Sequence, residues 1–443
     1  VRRPLAIATL LVLAAAAAAA GAERFALPEF KSGYAAPETI VPAPRTDFFD
    51  WIDLALLAAF LAAATYMALV RRSRRGMWWT ALGALVVFGL WRGGCVCAIG
   101  AVQNCAEGVA TGAWVPLVVA GFFLLPLAVT LFAGRTFCAA VCPLGAIQEL
   151  VVVRPVRVPA PVEHALGIVP YLYLGAAVLF AATGTAYVIC EYDPFVSFFR
   201  LAPLERPGAA LDAFTGSLGL LVFGGVMLVV GLFIGRPYCR FLCPYGALLR
   251  LASRASKWHV TITPDECIKC RLCEDACPYG AIRRPTAGDP RPDLSIDRRR
   301  LALLVVAVPL LMAGGGLLGR HLGEPFSRMN YTVELADRVH AEETGAVTGT
   351  VDMSEAFYAT RRPREDLYAE AAAVRGAFGW GTALLGVWAG LVVGVKLIHL
   401  SVYRTRENYE PDRAACVSCG RCFMNCPIER QRLKRLQEEP AQT

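Results

Sequence analysis

Histidine is scarce in this chain, five in 443 residues and scattered, too few and too spread for a haem carrier built on paired axial histidines. Charge is scarce too. Only 18% of residues are Asp, Glu, Lys or Arg against 56% hydrophobic, and the mean hydropathy of +0.48 excludes an ordinary soluble protein of two or three domains. No basic stripe with interleaved aromatics is present, so nucleic acid is not a partner. No nucleophile, triad or general acid–base pair is visible, which leaves redox chemistry carried by cofactors. Acidic residues are absent from the middle of the apolar stretches, Asp53 lying near an end, and that speaks against an ion pump.

What the chain has is cysteine, sixteen in all, most of it in tight sets typical of metal ligation. Cys267, Cys270, Cys273 and Cys277-Pro278 form one CxxCxxCxxxCP run, and Cys416, Cys419, Cys422 and Cys426-Pro427 form its twin. Each reads as half of a two-cluster ferredoxin, giving two [4Fe–4S] clusters: three cysteines wrap one cube and the fourth reaches the other. Structural zinc favours two CxxC pairs or Cys with His instead. On this reading Cys277 joins the cluster of Cys416, Cys419 and Cys422, and Cys426 returns to that of Cys267, Cys270 and Cys273.

Seven apolar stretches, about 52–70, 77–94, 114–132, 166–189, 218–235, 301–318 and 378–400, approach the length needed to cross ~30 Å of hydrocarbon. They follow a charged, then apolar, then small-x-small segment at 1–22 that reads as an export signal or anchor. Threading from an outside start leaves Arg71, Arg72, Arg74, Arg75, Arg135, Arg154, Arg157, Arg298 to Arg300, Arg404 and Arg406 inside, as the positive-inside bias requires. Both ferredoxin halves then fall on the cytoplasmic side of a bacterial inner membrane. The expected fold is mainly α: a polytopic helix bundle of about seven spans with a small α+β ferredoxin-like domain split by a membrane hairpin. Its parts are the signal or anchor 1–22, a Pro-rich exported arm 23–51, a five-span membrane domain 52–255, ferredoxin halves at 256–300 and 401–443, and a hairpin 301–400 with an exported loop 319–377. Trp258 to Thr263 is expected as a short strand.

A second repeat, GRx(F/Y)CxxxCPxGA, closes the third and fifth stretches with Cys138 and Cys142, then Cys239 and Cys243. Two spans running the same way can be related by an axis along the membrane normal, so these four thiolates are expected to converge on a third iron centre. The competing reading is reduced cysteines packed as small hydrophobes, against which the duplicated spacing speaks. A degraded third copy at Arg92–Cys105 carries Cys95, Cys97 and Cys105. It is expected at the outer surface with Cys190, as a fourth centre or as disulfides in an oxidising compartment.

These paired CxxxCP motifs followed by two ferredoxin motifs resemble the NosR/NapH group of membrane iron–sulfur proteins, over roughly Met77 to Cys426. The resemblance implies electron transfer between the cytoplasm or quinone pool and an exported reductase or flavoprotein. NosR itself carries a large exported FMN-binding domain ahead of its spans, where this chain shows only its short arm, which points to a subfamily with FMN on a partner and quinone as a candidate carrier. Thr344 to Thr348 resembles a covalent FMN-attachment sequence imperfectly and reads better as a turn. The alternative function, similar to CcoG-type ferredoxin proteins, is maturation of a metalloenzyme.

Overall fold

A computed structural model describes residues 47–94, 98–194, 198–199, 218–262, 267–286 and 294–438. The export segment, most of the arm, Cys95 and Cys97 lie outside them.

Helices run through all seven apolar stretches. They are α1 (Asp47–Thr65, continued by a π-helical turn Tyr66–Val70) and α2 (Arg74–Ala84, continued by a π-helical stretch Leu85–Trp91), and, after α3 (Ala98–Thr111), α4 (Leu117–Ala133). Then come the short α5 (Thr136–Ala140), α6 (Pro143–Val151) and α7 (Ala160–Leu166), followed by α8 (Val169–Ala182), α9 (Val188–Glu191) and α10 (Leu218–Gly231). The second repeat gives α11 (Pro237–Phe241) and α12 (Pro244–Arg254), and the first ferredoxin motif gives α13 (Leu272–Asp275) and β1 (Ile282–Arg283). The remainder is α14 (Leu294–Ser327), α15 (Tyr331–Glu343), α16 (Asp352–Ala359), α17 (Arg364–Ser401), β2 (Glu410–Pro411), α18 (Arg421–Asn425) and α19 (Pro427–Glu438).

Four helical stretches are long and apolar enough to cross a membrane: Phe48–Val70, Ala160–Ala182, Ile296–Ser327 and Arg364–Ser401. The apolar α4 and α10 are shorter, 17 and 14 residues. Leu303, Leu310, Leu317 and Leu384 stand exposed along α14 and α17, an apolar exterior that suits lipid rather than water.

α14 and α17 pack as a hairpin along a ladder of glycines. Gly315, Gly319 and Gly323 face Gly379, Thr382, Ala383 and Gly386, and Gly390 meets Leu311 and Met312. Added Cβ atoms at Gly315, Gly319, Gly386 or Gly390 would collide with the opposite backbone. Small residues four apart let membrane helices approach this closely. Both helices extend well past the apolar stretches, and α15 and α16 fold between them on a separate core of Val333, Leu335, Val339, Phe357 and Leu367. The segment expected as a loop is therefore a helical cap supported by the hairpin's own ends. Asn330 fastens it: its carboxamide oxygen accepts from Thr332 N–H and its nitrogen donates to Thr185 Oγ1 at 2.9 Å. Thr344 and Gly345 do form a turn, Gly345 with φ +69°.

One local expectation is corrected. Residues 258–262 form no strand; instead the N–H groups of Lys257 and Trp258 bond the carbonyls of Leu131 and Phe132 at 3.1 and 2.7 Å. The end of α4 leaves carbonyls without helical partners, and the passing chain satisfies them. Ala98 to Gln103 are buried, and α3 packs against α4, α8 and α12 inside the bundle. Asp53, near the start of α1, is buried and pairs with Arg92 at 2.9 Å at the end of the α2 segment.

The β element is small and open: β1 and β2 pair antiparallel with Ile282 opposite Pro411 and Arg283 opposite Glu410. That pairing joins the segment after the first cysteine run to the segment before the second, although α14 to α17 intervene in sequence.

Candidate metal centre

The CxxxCP repeat folds twice into one shape. A five-residue helix carries the first cysteine, the second cysteine breaks out of it with extended backbone (φ −69°, ψ 119° at Cys142; φ −60°, ψ 113° at Cys243), and proline opens the next helix. Proline suits that first position, where its missing N–H is not needed. The glycine two residues on lies against the carbonyl of its own motif's first cysteine: a Cβ at Gly145 would meet Cys138 O at 2.8 Å, one at Gly246 Cys239 O at 3.3 Å.

The four thiols are electrostatic neighbours. Burial and the neighbouring thiols of Cys239, Cys138 and Cys243 push the Cys142 thiol well up. Burial raises Cys239 to about 11, against the pull of Arg236, with Cys138 adding to the rise. N–H groups point at the sulfurs: Gln148 Nε2 donates to Cys239 Sγ at 3.2 Å, Gly246 N–H to Cys243 Sγ at 3.3 Å, and Arg135 to Cys138 Sγ at 3.6 Å.

The two ferredoxin runs also share one backbone. Lys269 and Ser418 take φ of +55° and +56°, and Arg271 and Gly420, each just after the middle cysteine, take +66° and +79°. Left-handed conformations at non-glycine residues carry strain and cluster at functional sites; here they turn three cysteines of each loop toward one side. Burial with Cys416, Cys419 and Cys277 as neighbours pushes Cys422 well up, and Cys416, raised to about 12, has burial first and then Cys419 and Cys277 among its causes. Cys273, raised to about 11 by burial, has Cys267 and Cys270 as its neighbours. Cys277 thus has Cys416, Cys419 and Cys422 as electrostatic neighbours. Exposure differs between the sets, Cys270 being exposed and Cys419 and Cys422 buried.

Among the described residues no group of three or more His, Cys, Asp or Glu side chains gathers tightly enough to hold a single metal ion, and the described cysteines are free of disulfides. A cube that gives each thiolate its own iron needs a wider cradle than one ion does. All-sulfur donors with N–H groups aimed at the sulfurs suit iron–sulfur chemistry, so these residues fit that group. On the other side, Cys190 Sγ sits against Gly100 in α3, and Gln103 Oε1 accepts the N–H of Ile189 and Cys190 at 3.0 and 3.3 Å. Cys105 lies further along α3, half-buried.

The sequence reading missed the residue that ties these sets together. Glu149, in α6 one turn past Gly145, is buried. Its Oε1 accepts from Arg74 at 2.5 Å and from Arg421 at 2.8 and 3.1 Å, its Oε2 from Arg236 Nε at 3.1 Å and from the Tyr279 hydroxyl. Burial would raise its carboxyl, but Arg236, Arg421, Arg74 and Tyr279 together hold it far below the usual carboxylate range. Arg135, which read as an orienting charge, and Arg236 are buried too. Arg135 donates to Ala414 O at 3.2 Å, ahead of the second ferredoxin run; Arg236 clamps Cys138 O and, at 3.0 Å, Ala139 O. Arg72 pairs with Glu429 at 2.8 Å and lies 5.0 Å over the Phe423 ring. A signal was present: Gln148-Glu149 occupies the repeat positions held by Leu249-Arg250 in the second copy, a polar departure inside a conserved-looking pattern of spacing.

Residues 115–159 and 215–263 match the model of a 4Fe-4S binding domain, and residues 260–283 match a second 4Fe-4S binding domain. The first spans both CxxxCP motifs and the second spans Cys267 to Cys277. With the apolar helices, this marks the chain as an iron–sulfur protein of membrane-spanning type. It is similar to membrane-associated iron–sulfur electron-transport proteins of the NosR/NapH/YccM type. It is 32% identical to Protein NirI of Paracoccus denitrificans over 34% of this chain and 22% of NirI. It is 30% identical to the putative electron transport protein YccM of Escherichia coli over 41% of this chain and 52% of YccM, and 31% identical to the regulatory protein NosR of Pseudomonas aeruginosa over 34% and 21%. The chain thus spans from about a fifth to about half of the length of these curated relatives, which are regulatory and electron-transfer proteins rather than self-contained enzymes. No solved structure matches it.

Proposed function

We propose that the chain is a transmembrane electron conduit of a bacterial inner membrane, working between a cytoplasmic donor or quinol and an exported flavoprotein or reductase. The observation that carries this reading is that Arg74 donates to Cys419 O and Arg236 to Cys138 O while both bond Glu149, which joins the CxxxCP motif to the second ferredoxin run. In this reading Cys267, Cys270 and Cys273 with Cys426 hold one [4Fe–4S] cluster, Cys416, Cys419 and Cys422 with Cys277 a second, and Cys138, Cys142, Cys239 and Cys243 a third centre. When bound, such clusters exchange single electrons without proton chemistry of their own.

The chain's part is to order and insulate them. Cys270 with exposed Ile268 and Leu272 beside it presents one set to solvent, where a soluble donor can dock. Buried Cys419 and Cys422 lie behind it, and Cys138, Cys142 and Cys243, also buried, lie deepest. The arginine-rich segments at this end of the bundle support a cytoplasmic side for it, and in this reading the β1–β2 pairing across the hairpin closes the split ferredoxin.

The reading is tested in proteoliposomes with a membrane-impermeant reductant outside and a trapped dye acceptor. Sustained, many-turnover dye reduction in wild type and its loss in Cys142→Ser are expected. Flux that persists in Cys142→Ser overturns the conduit, and a single small burst without turnover favours a maturation role instead.

A further inference from the structure

We infer that Glu149 is a positioning residue that fixes the separation and tunes the relative potentials of the CxxxCP centre and the adjoining ferredoxin centre. The inference rests on the proposal that both thiol sets hold iron–sulfur groups. It stands on geometry alone. Arg74 donates to Cys419 O at 2.9 Å with one terminal nitrogen and to Glu149 Oε1 at 2.5 Å with the other. Arg236 donates to Glu149 Oε2 at 3.1 Å through Nε, and to Cys138 O and Ala139 O through its two terminal nitrogens. The backbone of a cysteine in one set is thus joined to the backbone of a cysteine in the other through two guanidinium groups and one carboxylate. Two further arms come from the ferredoxin side. Arg421 lies beside Cys422 and Tyr279 lies two residues past Cys277, and both bond the same carboxylate.

A lone carboxylate among three arginines does two things. Mechanically, it presents four donors from four separate segments with one rigid acceptor, so the two thiol sets keep one spacing. Electrostatically, it is the only acidic partner described for Arg74, Arg236 and Arg421 among the described residues. Without it, three cations would stand uncompensated beside the two centres and favour their reduced, more negative forms.

The test compares wild type, Glu149→Gln and Tyr279→Phe as purified full-length protein in detergent. The readouts are iron and sulfide content, midpoint potentials from a dye-mediated titration followed by electron paramagnetic resonance, and the splitting that reports spin coupling between reduced centres. Glu149→Gln is expected to keep its iron, to shift at least one potential upward by a tenfold change in the reduction equilibrium, about 59 mV for one electron, and to weaken the coupling. Tyr279→Phe, which keeps the charge, is expected to shift the potential less while loosening the coupling. If Glu149→Gln fails to load iron, Arg421→Gln, which removes one partially exposed arm, carries the test with an expected downward shift. Potentials and coupling unchanged in an iron-loaded variant overturn the inference. Wild type without iron overturns the functional reading instead, so the two failures are told apart.

Discussion

Arg283 reaches Asp412 with two donors, its Nε and a terminal nitrogen meeting the same carboxylate oxygen at 3.0 and 2.8 Å, and 129 residues separate the two in sequence. Asp412 does more than answer the arginine. Its other oxygen accepts the N–H groups of Ala414 and Ala415 at 2.9 and 3.1 Å, and its own N–H and carbonyl bond Ala281 and Cys416. One side chain therefore shapes the loop that enters the second cysteine run and pins it to the end of the first.

Asp412→Ala strands two backbone donors as well as the arginine and is expected to cost roughly 2 kcal/mol. Asp412→Asn keeps an oxygen for the N–H groups and loses only a half-exposed ion pair, so about 1 kcal/mol or less is expected. Burial would push the Asp412 carboxyl up, but Arg283 and the N–H groups of Ala415 and Ala414 outweigh it and hold it below its ordinary value. A depressed carboxylate stabilises the fold above its unfolded pKa, and that contribution is lost as pH falls through the folded one. The wild type should then keep this share of stability down to about pH 4 and lose it below, while Asp412→Asn shows no such step. Thermal unfolding across pH 3 to 7 measures both, and equal acid sensitivity of the two proteins contradicts the assignment.

The CxxxCP repeat predicts an asymmetry between equivalent glycines. At Gly145 a methyl group meets a backbone oxygen at 2.8 Å and Arg236 at 3.2 Å; at Gly246 the nearest atom is at 3.3 Å. A carbonyl fixed by the short helix before it has little room to retreat, so Gly145→Ala should cost roughly 1–3 kcal/mol by overpacking and lower the iron content. Gly246→Ala should be tolerated. Iron assays with unfolding curves on both variants check this, and a reversed order would contradict the packing.

Where physical cause was local, the sequence was readable. Apolar length marked the helices that run through the seven apolar stretches, though not α3, and cysteine spacing marked the two ferredoxin runs. Where cause lay in a distant partner, reading failed. Trp258 to Thr263 alternates like a strand, but the nearest unsatisfied backbone belongs to the end of α4, and no neighbouring strand is there to pair with it. Arg135 and Arg236 look like any arginines at a membrane boundary until their carbonyl partners, supplied by Ala414, Cys138 and Ala139, come into view. Glu149 gave no sign in isolation, since its four donors come from segments scattered from Arg74 to Arg421.

Arg135 offers a sharp comparison with lysine. Its guanidinium spans Ala414 O and Cys138 Sγ at once, which a point-like ammonium cannot do. Arg135→Lys keeps the charge that orients the chain in the membrane, so insertion should be normal, yet the link between the CxxxCP motif and the second ferredoxin run is cut. Normal membrane yield with lowered iron content is expected. A fully loaded Arg135→Lys would show that charge alone suffices there.

The glycine ladder of the α14–α17 hairpin makes the last prediction, because it tests how the two ferredoxin runs meet. The hairpin leads out from one run and back to the other, so the spacing of its helices sets the spacing of their ends. At Gly386 a Cβ would collide with the Gly315 carbonyl, and at Gly390 with that of Leu311. Gly386→Val would force the helices apart along their whole contact, as small-to-large changes do at such interfaces. The apolar surface of both helices stays in lipid either way, so membrane insertion survives. What should suffer is the register of Ile282 with Pro411 and the reach of Arg283 to Asp412. Gly386→Val is therefore expected in membranes at near-normal yield but with reduced iron, the loss falling on the ferredoxin runs rather than on the CxxxCP thiols. Gly314→Ala, on the partner helix α14 where a Cβ meets open space, serves as the control and should load like wild type. If Gly386→Val retains its full iron content, the two runs come together without help from the hairpin, and the β1–β2 pairing with its flanking ion pair is enough to join them.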